Sequence, residues 1–257
     1  MPRYIISSAL LVIACLLSGI STVEFEKKIW ELTNRERRAN GLSALQYYQP
    51  LSELARRQSD NMRRHKFFDH KDQEGLTVGG RQEKYLPRLK INSIGENLAY
   101  LSNSEKRFTP QEIVQGWMES PGHRANILSP DFTHLGVGVV TKGDKLWATQ
   151  NFASPLVMIR HKLPLSSSMK GVKLSFEYLS AKPRKGFAAT IFYPDPNFKF
   201  YLDKTHYQKG SQPQQLVWQE GTRFTVDVPF VAGKGKYKVF FGWDGSYIND
   251  GFEVRSR

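Results

Sequence analysis

The sequence predicts an α+β protein: a helix-rich first part closing on an antiparallel hairpin, then an all-β sandwich of immunoglobulin-like size. Three observations carry this. Apolar residues recur at helical spacing in residues 24–40 and again after Pro50. HLGVGVV and KLWATQNFA alternate as strands around Thr141, Lys142, Gly143 and Asp144, a turn of hairpin type. From about residue 160, seven short β-rich runs, from VKLSFEYL to DGFEV, are divided by Gly, Pro, Asn and Lys.

Each element has its own justification. Phe25, Ile29 and Leu32 form one face of a first helix, and Gly41 stops it. Leu51, Leu54, Ala55 and Met62 form the inner face of a second. Arg56, Arg57, Arg63 and Arg64 fall mostly on its outer side and read as a solvated face. FFDHKDQEG breaks into a loop, and Thr77 is placed to cap a short helix that runs to Tyr85 before Pro87. Gly95-Glu96-Asn97 reads as a turn into Leu98-Ala99-Tyr100. At Thr109-Pro110-Gln111-Glu112 an N-cap, a proline at the first helical position and a capping-box glutamate coincide. Ile113, Val114, Trp117 and Met118 then make a buried stripe, which Ser120-Pro121-Gly122-His123 interrupts. The expected limits are 1–21 for a leader, 24–154 for the first domain and 160–257 for the second, with a short polar connector at 161–168.

The chain has 257 residues, enough for one large core or two modest ones, and 40% of them are hydrophobic. Its formal net charge of +13 lies mostly in the C-terminal part, where 155–257 carries 16 basic against 8 acidic residues. Such a balance favours anionic partners without identifying one; nucleic acid would rest on charge alone. The single cysteine, Cys15, lies in MPRYIISSALLVIACLLSGIS, an apolar segment behind Arg3 that reads as a secretory signal. Two processing outcomes stay open. Val12-Ile13-Ala14-Cys15 is similar to a lipobox, with Cys15 as the lipidated residue; cleavage near 19–21 fits about as well.

Chemistry concentrates on four polar residues at breaks in the first domain: His70, Glu96, Glu119 and His123. Imidazoles and carboxylates of this kind can hold a divalent metal such as zinc, or share general acid–base work. Spacing alone supports this weakly, because no HExxH motif ties two ligands to one helical face, and each histidine can equally be structural. The chain also lacks a GxSxG elbow, a P-loop and a Rossmann glycine fingerprint. His65, in a basic helix, and His134, at a strand entrance, have less claim.

NRERRANGLSAL, the helix ending in FFDH, IGENLAY, GWMESPGHRANILSPDFTHLGVGVV and WATQNFA occur in that order. Together they resemble a CAP domain, the superfamily of cysteine-rich secretory proteins, antigen 5 and pathogenesis-related-1 proteins, in its bacterial, disulfide-free form. The resemblance covers about residues 24–154. It implies a three-layer α–β–α sandwich whose cleft carries two histidines and two glutamates. His70, Glu96 and His123 match three of those positions. The fourth falls on Ser120, so Glu119 is one residue early, and a one-residue shift turns a helical side chain by about 100°. The resemblance favours an exported, non-enzymatic module, secreted or lipid-anchored, that binds a lipid, glycan or host protein. The alternative is a zinc-dependent hydrolase with Glu96 as its base. In the second domain, Phe198, Phe200 and Tyr201 between Lys199 and Lys204 are candidates for contact with an anionic or glycan surface, though such aromatics are more often core.

Overall fold

The structure is a computed structural model that describes residues 21–103, 108–248 and 250–257. The leader and Cys15 lie outside the described residues. The first part runs α1 (Thr22–Ala39), β1 (Gln46–Tyr47), α2 (Gln49–His65), α3 (Val78–Tyr85), β2 (Leu89–Ser102), α4 (Pro110–Glu119), α5 (Pro121–Ile127), β3 (His134–Lys142) and β4 (Lys145–Ile159). The second part is all strand: β5 (Leu165–Ser167), β6 (Gly171–Tyr178), β7 (Phe187–Phe192), β8 (Lys199–Tyr201), β9 (Tyr207–Lys209), β10 (Ser211–Gln214), β11 (Val217–Trp218), β12 (Arg223–Pro229), β13 (Gly235–Trp243), β14 (Ser246–Tyr247) and β15 (Phe252–Ser256).

Local signals explain the helix starts. Ser21 and Glu24 form a capping box at α1, and Thr109 with Glu112 forms the one expected at α4. Thr77 and Ser120 occupy N-cap positions, but their hydroxyls make no capping bond. Proline at the first helical position, rather than the serine side chain, restarts the chain as α5.

Pairing of β3 with β4 and of β4 with β2 builds the sheet of the first part. Strand alternation divides its side chains between two faces. Leu135, Val137, Val139, Leu146, Ala148 and Phe152 pack with α1 and α4 through Ile29, Leu32, Ile113 and Trp117. On the opposite face Met62 of α2 meets Leu98 and Trp147. There Gly136 and Gly138 bring β3 against the α2 backbone: a Cβ on Gly138 would stand 2.0 Å from the Arg56 nitrogen. Side chains also satisfy β3's own backbone. Val137 N–H donates to Ser52 Oγ at 3.1 Å, and Val139 N–H to the fully buried Glu26 at 3.0 Å. Arg56 neutralises Glu26. No strand can add along this stretch while those bonds hold.

The segment expected to turn at Gly95-Glu96-Asn97 does not turn. It lies within the 14-residue strand β2, so Glu96 sits on a sheet edge. Gly95 serves packing instead, since a Cβ there would come within 2.8 Å of the Phe132 ring.

Strand β4 continues through Pro155, where the pairing with β2 slips register, as strand prolines require. Its last residues, Val157 to Ile159, pair with β6, so one seven-stranded sheet runs from the first part into the second. A six-stranded sheet, ordered β10-β7-β13-β15-β5 with β14 on β13, lies against it. Phe176 and Phe224 of the first sheet meet Phe241, Phe252 and Phe187 of the second; the Phe176 and Phe241 rings are 4.9 Å apart. Lys90 ties the two parts from the side, bonding Asp250 at 2.5 Å and lying over the Phe252 ring.

Candidate functional site

Among the described residues strand β2 pairs only with β4, so its outer edge is open to groups arriving from either helical face. Glu96 on this strand is nearly inaccessible, with a side chain 2% exposed. One oxygen lies 2.9 Å from His70 Nδ1, from the loop after α2. The other accepts from Arg81 Nη2 of α3 at 2.5 Å. The same guanidinium donates to the carbonyls of His70 (2.8 Å) and Leu76 (2.7 Å), which pins the loop that presents His70. Arg81 is itself 2% exposed, so this is a buried, charge-assisted pair.

His123 arrives on α5 through a second network. Asn97, one residue along β2, donates to the His123 carbonyl at 3.0 Å and to Gln150 Oε1 at 3.1 Å. Asn126 of α5 donates to the Glu96 carbonyl at 3.1 Å and to Asn97 Oδ1 at 2.9 Å. Gln150 closes the chain on Thr33 of α1. Alternation along β2 explains why Glu96 and Asn97 serve opposite sides: one holds His70, the other holds the helix of His123.

The two imidazoles are polarised in opposite directions. The hydrogen bond that His70 donates to Glu96 holds His70 above the ordinary histidine value, while burial and then the His70 charge hold His123 below it. The linkage follows. His70 contributes stability that is complete below the unfolded histidine value, about 6.5, and is lost as pH rises through its raised folded value. For His123 the contribution is present above the unfolded value and lost as pH falls. In urea unfolding, His70→Ala is expected to cost more at pH 5 than at pH 9, and His123→Ala more at pH 9 than at pH 5. Equal costs at both pH values would contradict the pairing.

Of the four residues singled out in the sequence, the structure brings His70, Glu96 and His123 into one neighbourhood. Glu119 does not join them. It is exposed and accepts from Gln115 Nε2 one turn back on α4. Arg81 is the residue that sequence reasoning missed. It sits in VGGRQEKY, a short helix with two glycines, and its partner lies 15 positions away on a strand. No spacing rule links them.

The resemblance implies a divalent metal here, and the donor set can be tested against it. Both Glu96 oxygens are engaged, and a guanidinium supplies fixed positive charge where a cation would need negative charge. Among the described residues no group of three or more His, Cys, Asp or Glu is arranged to hold a metal ion. As arranged, these side chains do not offer a four-donor site, and no catalytic step is derived through one.

A sheet covered by helices on both faces, with a His/Glu cluster over its edge strand, defines the class of the first domain. Residues 30–152 match the profile of the cysteine-rich secretory protein family, CAP, and this part of the chain is a CAP domain. It is similar to the uncharacterised protein YkwD of Bacillus subtilis, 39% identical over 130 residues that make up 51% of this chain and 48% of that one. It is also similar to the uncharacterised membrane protein YlbC of the same organism, 36% identical over 49% of this chain and 34% of that one. The chain thus spans about half and about a third of the curated relatives it matches. Among solved structures, an extracellular SCP-domain protein from Bacillus anthracis aligns with 29% identity and a TM-score of 0.44, over 52% of this chain and 44% of that one. Among the described residues no helix is long and apolar enough to cross a membrane.

Proposed function

We propose that the protein is an exported, non-enzymatic binding module whose CAP cleft, built on His70, Glu96 and His123, receives an extracellular ligand: a lipid, a glycan or a host protein. The observation that supports this most is the engagement and burial of Glu96. Its carboxylate accepts from Arg81 on one oxygen, bonds His70 with the other and is only 2% exposed, so little of it is open to a water on which it could act as base. What remains available is recognition. Neither ring nitrogen of His123, nor Nε2 of His70, has a hydrogen-bond partner among the described residues, and the opposite polarisation of the rings suits one donor and one acceptor for a polar ligand group.

The same reading takes 24–154 as a three-layer α–β–α domain, 160–257 as an immunoglobulin-like sandwich, and 1–21 as the export signal with Cys15 as its lipidation candidate. Secretion or lipid anchoring at the surface follows from that signal.

The unpartnered imidazole nitrogens also support the rival reading, a zinc-dependent hydrolase that uses the same cleft with fewer ligands. Peptide and ester hydrolysis, measured with and without added zinc, separates the two. The expected result is no turnover that His123→Ala removes. Zinc-dependent turnover abolished by His70→Ala and His123→Ala would overturn the binding-module reading.

A further inference from the structure

A second groove opens away from the His/Glu cluster, between the C-terminal end of α2, strand β2 and the β3–β4 turn, with a volume of about 720 Å³. Its floor is an aromatic series. Trp147 is buried, Tyr100 lies 5.2 Å from it, and Phe68 lies 6.3 Å beyond. Tyr100 and Phe68 are 42% and 53% exposed, more than packing alone calls for in rings of that size. The rim is cationic. Lys66 stands at the end of α2, and Lys142 and Lys145 flank the turn opposite. None of the three has an ion-pair partner among the described residues; Arg63, also on the rim, is already paired with Asp60.

Lys66 supplies a separate observation. It closes α2 in the left-handed conformation, with φ 56° and ψ 45°. Glycine takes that position without strain, and a residue with a side chain there costs about 1 kcal/mol. A lysine in a position that glycine would take without strain, at the lip of an aromatic groove, is the kind of local strain that accompanies binding sites.

We propose that this groove binds an anionic saccharide, with sugar ring faces stacked on Tyr100 and Phe68 and carboxylates or sulfates held by Lys66, Lys142 and Lys145. A pyranose presents a flat face of C–H groups edged by hydroxyls, which matches an exposed aromatic shelf inside a polar rim. The groove is partly open to solvent, whereas an acyl chain gains most from a fully enclosed apolar cavity. The positive charge forms a cluster with Asp144 among it, not a track for successive phosphates; that carboxylate accepts from sugar hydroxyls and repels a polyphosphate backbone. His70, Glu96 and His123 do not line this groove, so binding in it is tested separately from the function proposed for the CAP cleft.

Calorimetric titration of the whole protein with tetragalacturonate and with a heparin tetrasaccharide tests this, with maltotetraose, an oligothymidylate and palmitate as comparisons. At least one acidic saccharide is expected to bind with submillimolar affinity that weakens as salt rises. Affinity is expected to fall about tenfold or more, some 1.4 kcal/mol, in Tyr100→Ala and in Lys142→Glu, and to be unchanged in His123→Ala. Both substitutions are at exposed positions, and retained thermal unfolding midpoints would show that they fold. Absence of binding by both acidic saccharides overturns the proposal. So does equal binding of maltotetraose, tighter binding of the oligothymidylate or palmitate, or affinity indifferent to both groove substitutions.

Discussion

Gly138→Ala is expected to destabilise the protein by about 3 kcal/mol or more, the upper end of what overpacking a tight contact costs. The added methyl would meet the α2 backbone, 2.0 Å from Arg56 N and 2.4 Å from the Ala55 carbonyl carbon. No rotamer change relieves that, because the colliding atoms are main chain. Strand β3 would have to lift off α2, which breaks the bonds its N–H groups donate to Ser52 and Glu26 as well. Urea unfolding checks the value, with Gly116→Ala as the control. Gly116 lies in α4, where a methyl group would have nothing within 4 Å, so the same change there is expected to stabilise by about 0.5–1 kcal/mol. A Gly138→Ala protein as stable as the parent would mean that β3 and α2 are not in this contact.

The second large effect falls on the site. Arg81→Met is expected to cost about 3–5 kcal/mol, because it leaves Glu96 buried without its cation and frees the two loop carbonyls the guanidinium holds. Arg81→Met with Glu96→Gln removes both charges, and its cost is expected to fall clearly short of the sum of the single changes. Additive costs in that double-mutant cycle would show that the two side chains do not act as a pair.

The first four helices, the Thr109–Glu112 capping box and the β3–β4 hairpin are legible because their signals are local. Thr109-Pro110-Gln111-Glu112 reads as a helix start wherever it stands, and Gly143, with φ 59°, turns where a hairpin glycine is expected. The short strands of the second part were legible for the same reason. The path of β2 was not. Its glycine and asparagine look like turn residues, yet Gly95 is required by the Phe132 ring and Asn97 by the helix that carries His123, both distant in sequence. The candidate site divides in the same way. His70, Glu96 and His123 stand in motifs, whereas Glu119, one residue off the register the resemblance implies, lies exposed on α4. Arg81 could not be picked, because its role depends on a tertiary ion pair that leaves no periodic trace.

Glu96 is bonded to both Arg81 and His70, and the proposal that the CAP cleft is a recognition site rests on that pairing. Zinc titration by calorimetry on the protein and on its His70→Ala and His123→Ala variants tests this most directly. No micromolar zinc binding is expected in any of the three. One-site micromolar binding by the parent protein, lost in both variants, would contradict it and make the cleft a metal centre.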